Sequence, residues 1–418
     1  MVKWKKNIPE GTRDILFQDC ADKKFIENTL RKIYVDRGFL EVITPTLEFY
    51  DVFDGEEQGI EQEKLYKLFD NHGRILTVRP DITIPIARLS GTKLRDSYYP
   101  LRFCYCENVF RANENLNGKR NEFTQSGVEI IGSADLKADI ELIALAVKAL
   151  RETGIENFKI ELGHAEFFKG IVQGLPLDDD DKEKIRGYIE NKNYGSLGNM
   201  LMEKEDILEK KDIEILNLFP SLFGDVSVIN KARKYTNNKK SEEALNSLEY
   251  MYIRLKEMGL SQYIYMDLGM VHHLDYYTGL IFRGYIEGAG DDVLYGGRYD
   301  NLVSNFGVDV PATGFAIDVD GILEVLNKQN RLKHINVNAD YIVHCAVELF
   351  NVANNISDKI VQSGSKCELS LFTDTQDTIE YAEKKKIKNI IFVNSHEEIL
   401  LYDTASKVIK KFEAEFII

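Results

Sequence analysis

Two polar clusters in the last third of the 418-residue chain hold the side chains best suited to chemistry. The first reads Met270-Val271-His272-His273-Leu274-Asp275-Tyr276-Tyr277-Thr278-Gly279. The second reads Leu294-Tyr295-Gly296-Gly297-Arg298-Tyr299-Asp300, followed by Pro311-Ala312-Thr313-Gly314-Phe315-Ala316. Taken singly, an aromatic pair usually belongs to a core and paired glycines usually mark a turn. Together they describe a pocket. Gly296 and Gly297 let backbone approach a ligand, while Arg298, Asp275 and the tyrosines bring polar tips on a rigid frame. Such a set suits a small, flat, polar molecule. The adjacent His272 and His273 have neither a His-Glu-x-x-His spacing nor cysteines beside them, so no metal is assigned to them.

A second source of polar groups is Arg79-Pro80-Asp81-Ile82-Thr83. In extended backbone, Asp81 and Thr83 point the same way and set a carboxylate beside a hydroxyl, which suits an ammonium group. The competing reading is a helix cap, for which both residue types are favoured.

These groups need strands and helices to hold them. Residues 20–37 place Phe25, Ile26, Leu30, Ile33 and Tyr34 on one helical face, and Gly38 ends the run. Phe39 to Glu48 reads as a strand broken by Pro45. Residues 75–83 read as a strand entering a turn, followed by a helix that contains Ile86 to Leu89. Leu101 to Phe110 and Glu122 to Ile131 read as the two strands of a hairpin whose loop opens at Arg111. A long helix follows over 135–153, then a strand over 158–163. Phe167 to Gly259 reads as mostly helical, and its Asp178–Asp181 run is a helix start rather than a metal loop. After a polar linker, strands over 341–345, 367–371 and 387–393 alternate with helices over 349–362 and 375–385. A hairpin over 398–412 closes a small α/β unit.

Composition sets the class. With 44% hydrophobic and 29% charged residues the chain reads as globular, with room for two or three domains. No apolar run approaches membrane-spanning length and no apolar signal core follows the N-terminus, so a cytoplasmic protein is expected. Five cysteines at these spacings form neither a zinc-ligand series nor a disulfide framework. The net charge of −15 gives no support for nucleic-acid binding. Lys384-Lys385-Lys386 is a solvated helix end before it is a phosphate site.

The two late clusters resemble the histidine-binding half of histidyl-tRNA synthetases, which carry Arg-Gly-Leu-Asp-Tyr-Tyr and later Gly-Gly-Arg-Tyr-Asp. The resemblance runs back to about Pro9. It implies an α+β fold: a class II aminoacyl-tRNA synthetase-like antiparallel sheet core flanked by helices, with a helical insertion and a small C-terminal α/β domain. The core spans 1–326 with the insertion at about 167–259, the linker 327–338, and a truncated anticodon-binding-like domain 339–418. By the same resemblance Asp81, Thr83 and Gln125 hold the amino group of histidine and Arg111 its carboxylate. Glu129 with Tyr276 and Tyr277 reads the imidazole, Tyr299 is part of the pocket wall, and the helix, strand and proline near the N-terminus form a homodimer interface.

Departures from the synthetase pattern fall on the nucleotide side. His272 replaces the arginine of the first signature and His273 its glycine. Asn113 stands where a glutamate holds the adenine amine, Glu114 and Asn121 stand where loop arginines are usual, and Gly321 replaces the arginine that holds the triphosphate. Activation builds charge on phosphoryl oxygens that fixed cations must meet, and losing one such donor costs about 3–4 kcal/mol, roughly a thousandfold in rate. A kept amino-acid pocket with lost chemistry resembles the regulatory subunit family of ATP phosphoribosyltransferase. That resemblance implies a short-form catalytic subunit as partner in a hetero-oligomer, L-histidine as feedback effector in the first step of histidine biosynthesis, and no synthetase activity. It implies no catalytic residue, no cofactor, no metal and no tRNA binding. A divergent working histidyl-tRNA synthetase and a free-standing amino-acid sensor are the other readings.

Overall fold

The computed structural model describes residues 4–54, 60–113, 120–236, 238–271 and 276–411. The chain divides into two compact units, Met1–Lys333 and His334–Ile418.

In the first unit, α1 (Phe17–Val35) buries Ile26, Leu30, Ile33 and Tyr34 at three- and four-residue spacing, the pattern of one helical face. Gly38 then takes a left-handed φ of 79°, which glycine adopts without penalty. The proline-broken segment becomes two short strands, β1 (Leu40–Glu41) and β2 (Leu47–Phe49). With β3 (Lys67–Phe69) and β4 (Ile75–Val78), β2 forms a three-stranded antiparallel sheet in the order β2-β4-β3. Next comes α2 (Thr83–Gly91). The hairpin strands β5 (Leu101–Phe110) and β6 (Glu122–Ile131) pair from Leu101↔Ile131 to Phe110↔Glu122. Helix α3 (Leu136–Glu152) starts where Asp135 accepts from the Lys137 amide, and β7 (Phe158–His164) follows.

Six helices come next: α4 (Ala165–Gln173), α5 (Asp179–Glu190), α6 (Tyr194–Glu203), α7 (Lys210–Leu218), α8 (Ser227–Arg233) and α9 (Lys239–Glu257). Asp178 caps α5 by accepting from Asp181 N. The insertion, expected to be mostly helical, also contains a strand, β8 (Phe223–Gly224), which joins the edge of the main sheet. Two residues are too short to show a period-2 pattern, so nothing in the sequence marked it. The unit closes with β9 (Ile264–Asp267), β10 (Leu280–Ile286), β11 (Leu294–Arg298), β12 (Ala312–Asp318) and α10 (Val319–Lys328).

The main sheet has nine strands in the order β1-β5-β6-β12-β11-β10-β7-β9-β8. Among the described residues only β1–β5 and β7–β9 of this sheet pair in parallel. Because β6 lies between β5 and β12, residues from the first and last thirds of this unit share one sheet surface. Successive side chains alternate between faces. Ser126, Val128 and Ile130 turn to the face where Val128, Ile130, Phe315 and Ile317 form the main core with α1, α3 and α10. Gln125, Gly127 and Glu129 therefore turn to the other face. There a smaller core of Ile82, Ile86, Phe103, Tyr105 and Tyr299 supports the site.

In the second unit, β13 (Tyr341–Cys345), β14 (Cys367–Leu369) and β15 (Asn389–Val393) pair in parallel, and β16 (Ile399–Asp403) and β17 (Ile409–Lys411) extend the sheet antiparallel. The strand order is β14-β13-β15-β16-β17, with α11 (Phe350–Gln362) and α12 (Thr375–Lys384) as crossovers. Lys384 closes α12 in an i,i+4 pair with Glu380 at 2.6 Å, as a solvated helix end does. Among the described residues no helix is long and apolar enough to cross a membrane.

Candidate functional site

The register of the main sheet brings the polar groups together. Glu129 on β6 lies opposite Gly314 on β12, Gly314 opposite Gly297 on β11, and Gln125 opposite Asp318. A Cβ at Gly314 would collide with the Glu129 carboxylate, and one at Gly297 would lie 2.6 Å from the Tyr277 ring. These positions carry no side chain because a carboxylate and a ring lie flat across their backbone.

Glu129 is 1% exposed. Thr83 Oγ1 donates to its Oε1 at 2.8 Å, the Tyr105 hydroxyl approaches the same oxygen at 3.4 Å, and the Tyr299 hydroxyl bonds Oε2. Burial pushes the Glu129 carboxyl up to about 8; the hydroxyl donors pull it back and the nearby Asp81 adds to the rise. The group is therefore an acid at neutral pH. Tyr276 stacks on Tyr299 at 5.3 Å between centroids and meets Tyr277 edge-on at 4.9 Å. Burial pushes all three phenols upward. These rings make a flat aromatic wall with hydroxyl tips.

Asp81 is not extended with Thr83, as its spacing suggests. Thr83 begins α2, and Asp81 Oδ1 accepts from Ile84 N at 3.1 Å, so the helix-cap reading describes its backbone contact. The cap nevertheless sets Asp81 near Glu129. Burial raises the Asp81 carboxyl, and the Arg111 guanidinium lowers it in part. Arg111 Nε donates to Pro80 O at 2.9 Å, and the guanidinium lies 5.3 Å over the Phe123 ring. What it offers a ligand is its Nη edge. Gln125 is 7% exposed, and its Oε1 is buried without a hydrogen-bond partner. Such an orphaned acceptor marks a place for a donor.

Arg298 does not point a polar tip into the pocket. It is 7% exposed, and its Nη2 pairs with Asp139 of α3 at 2.8 Å, while Nη1 donates to Ser133 O at 2.9 Å. Thr313 Oγ1 donates to the same Asp139 at 2.8 Å. Arg298 thus ties β11 and β12 to α3. His272, His273, Asp275 and Glu114 lie outside the described residues. Two neighbours were assigned no contact with the ligand from sequence. Tyr105 becomes legible once the hairpin register is known, since it opposes Gly127, two residues from Glu129 on the same face. Tyr295 pairs with Ala316 on that face as well, but carried no signal beyond its neighbouring glycines.

Beyond Gln125 the surface changes character. Asn113 Nδ2 donates to Arg120 O at 3.0 Å and to Asn121 Oδ1 at 3.2 Å, so its amide is held within the hairpin loop. Asp318 accepts from Gly321 N at 3.0 Å as the cap of α10, and burial raises its carboxyl to about 6. Asp320 takes Lys23 at 2.8 Å and Arg13 at 2.9 Å, and Arg120 pairs with Glu324 at 2.7 Å. Further along the same face Arg283 meets Glu161 at 2.6 Å, Asp267 at 3.0 Å and Asp292 at 3.5 Å. Three carboxyls surround one guanidinium, with Lys192 also acting on Asp267 and Asp292, and the cations nearest the cap of α10 are already paired. A polyphosphate would have to compete with these carboxylates for the same cations. Among the described residues no group of three or more His, Cys, Asp and Glu side chains is arranged to hold a metal ion.

Residues 11–322 match the family described as histidyl-tRNA synthetase. The chain is 49% identical to an ATP phosphoribosyltransferase regulatory subunit of Clostridium kluyveri over 388 residues, covering 93% of this chain and 99% of that one. Against the protein of the same name from Clostridium novyi it is 46% identical, covering 96% of each. Among solved structures, it is similar to an ATP phosphoribosyltransferase regulatory subunit/histidyl-tRNA synthetase from Bacillus halodurans, with a TM-score of 0.85, 31% identity, and coverage of 94% of this chain and 100% of that one. A histidyl-tRNA synthetase from Nostoc sp. PCC 7120 shares the fold, with a TM-score of 0.80, 20% identity, and coverage of 99% and 98%.

Proposed function

Since the chain belongs to the family of ATP phosphoribosyltransferase regulatory subunits, with a histidyl-tRNA synthetase-like class II fold, we propose that it binds free L-histidine and passes its occupancy to a short-form catalytic subunit without activating the amino acid. In this reading Asp81, Thr83 and Gln125 take the ammonium group, Arg111 the carboxylate, and Glu129 with Tyr276 and Tyr277 the imidazole, with Tyr299 holding Glu129 in place. The catalytic subunit works in a hetero-oligomer that depends on this chain, and histidine, the end product of the pathway whose first step the complex performs, lowers its turnover. A ligand does this only by binding the two states of the assembly with different affinity.

The observation that carries the reading is an asymmetry between adjoining parts of the sheet and the helices that close it. An orphaned Gln125 acceptor, a buried carboxyl with three hydroxyl neighbours and an aromatic wall fit histidine. The adjoining surface instead spends its cations on Asp320, Glu324, Glu161 and Asp267. Titration calorimetry of the full chain with L-histidine is expected to show saturable binding, and histidine-dependent ATP–pyrophosphate exchange is expected to be absent. Exchange by the isolated chain would establish a working synthetase instead.

The homodimer belongs to the same proposal. Leu40 and Ile43 of the proline-broken segment are 70% and 80% exposed, and Leu47 and Phe49 beside them are also exposed. Neighbouring apolar side chains left in water mark an interaction surface. An Ile43→Asp chain is expected to run at half the mass of the wild type by light scattering, with its circular dichroism unchanged. An unshifted mass would remove this segment from the interface.

A further inference from the structure

Resting on the histidine reading above, we propose that Glu129 and the imidazole of bound histidine share a single extra proton, so that the amino acid enters with an uncharged ring and binds near neutrality without net proton exchange. The argument starts from what faces Glu129. Tyr105 reaches it from β5, Thr83 from the first turn of α2, and Tyr299 from beyond the end of β11. Tyr276 packs on Tyr299 and Tyr277 packs on Tyr276, while β12 presents only Gly314. The other ionisable group beside it is Asp81, whose carboxyl burial raises and Arg111 lowers in part. Among the described residues no Lys, Arg or His pairs with Glu129, and Arg111 sits against Pro80 O and lowers Asp81 instead.

Charge neutrality in a dry site then limits the choices. The ligand's ammonium offsets Asp81 and its carboxylate offsets Arg111, which leaves Glu129 and the ring to balance each other. A neutral ring donating to an ionised Glu129 leaves a buried negative charge uncompensated, and an imidazolium beside a protonated Glu129 leaves a positive one. Either is strongly disfavoured in a medium that cannot solvate the charge. One shared proton leaves the pair neutral overall, wherever along the hydrogen bond it rests. The empty site supplies that proton, because burial holds the carboxyl at about 8.

The pH dependence follows with its sign. Below about pH 6.5 the free ring carries a proton that binding must release. Above about pH 8 the empty site has lost its proton and binding must take one up. Affinity is therefore flat between these limits and falls roughly tenfold per pH unit outside them.

Calorimetric titration of the full chain with L-histidine at about pH 7.2, in phosphate and in Tris, reads the proton count directly from the difference in apparent enthalpy. The expected count is near zero. Release of nearly one proton would place the ring N–H on an ionised Glu129, and uptake of nearly one would place an imidazolium beside the acid; either overturns the proposal. Absence of binding by equilibrium dialysis removes the histidine reading itself, a separate failure. At about pH 8.5 the wild type is expected to take up more than half a proton beyond Glu129→Gln, with uptake by the ligand's own amino group cancelling in the difference. Equal uptake would contradict the proposal. If Glu129→Gln does not fold, the wild-type count near neutrality decides alone.

Discussion

An Arg298→Met chain is expected to lose about 3–5 kcal/mol of stability, the cost of leaving a buried charge without its partner. Asp139 is fully buried and is held by Arg298 and Thr313, with burial pushing its carboxyl upward and the guanidinium pulling it back. Without the guanidinium, Asp139 faces Thr313 alone, and α3 loses its tie to β11. Denaturant midpoints of Arg298→Met and of the double variant Arg298→Met with Asp139→Leu separate the effects. The double variant is expected to recover much of the loss, because apolar replacement of a whole buried pair is often neutral. A single variant as stable as the wild type would show that Arg298 is not tied up as described and is available to the pocket.

Asp81→Asn is expected to weaken histidine binding by about 2–3 kcal/mol, roughly 30- to 150-fold. The asparagine oxygen can still accept from Ile84 N, so the cap of α2 survives, and only the charge opposite the ligand's ammonium is lost. Calorimetry reads the affinity and thermal melting reads the fold. A variant that melts like the wild type and binds histidine equally well would move the ammonium away from Asp81. A variant that binds and melts poorly would mean that capping is the larger part of what Asp81 does.

These two residues also mark where the sequence was legible and where it was not. The hairpin over 101–131 could be read to its ends because both strands run ten residues with a turn-forming loop between them, and α3 could be read because Asp135 caps a long amphipathic run. Once the hairpin is set, Gln125 and Glu129 must share a face. Asp81 and Thr83 were ambiguous, because a two-residue spacing fits both a strand and the start of a helix; the favourable first turn of α2 decides for the helix. Arg298 was misdirected because its partner is Asp139, 159 positions away, and only the closure of β11 against β12 and α3 brings them together. The acidic surround of Arg283 was hidden for the same reason. Glu161, Asp267 and Asp292 come from three separate segments and meet only in the assembled sheet.

The class of protein was therefore carried by local signatures, and the proposed loss of nucleotide chemistry rests on missing cations at fixed places in those signatures. The structure adds an observation that no single position reveals. Lys23, Arg13 and Arg120 are each paired with a carboxylate of α10.

The most direct measurement mixes the purified chain with a short-form ATP phosphoribosyltransferase catalytic subunit and follows turnover with and without L-histidine. Turnover is predicted to rise severalfold on adding the chain and to fall again as histidine fills its pocket, with Asp81→Asn shifting the inhibition curve to higher histidine. A catalytic subunit indifferent to the chain, or inhibition that Asp81→Asn leaves in place, would contradict the account.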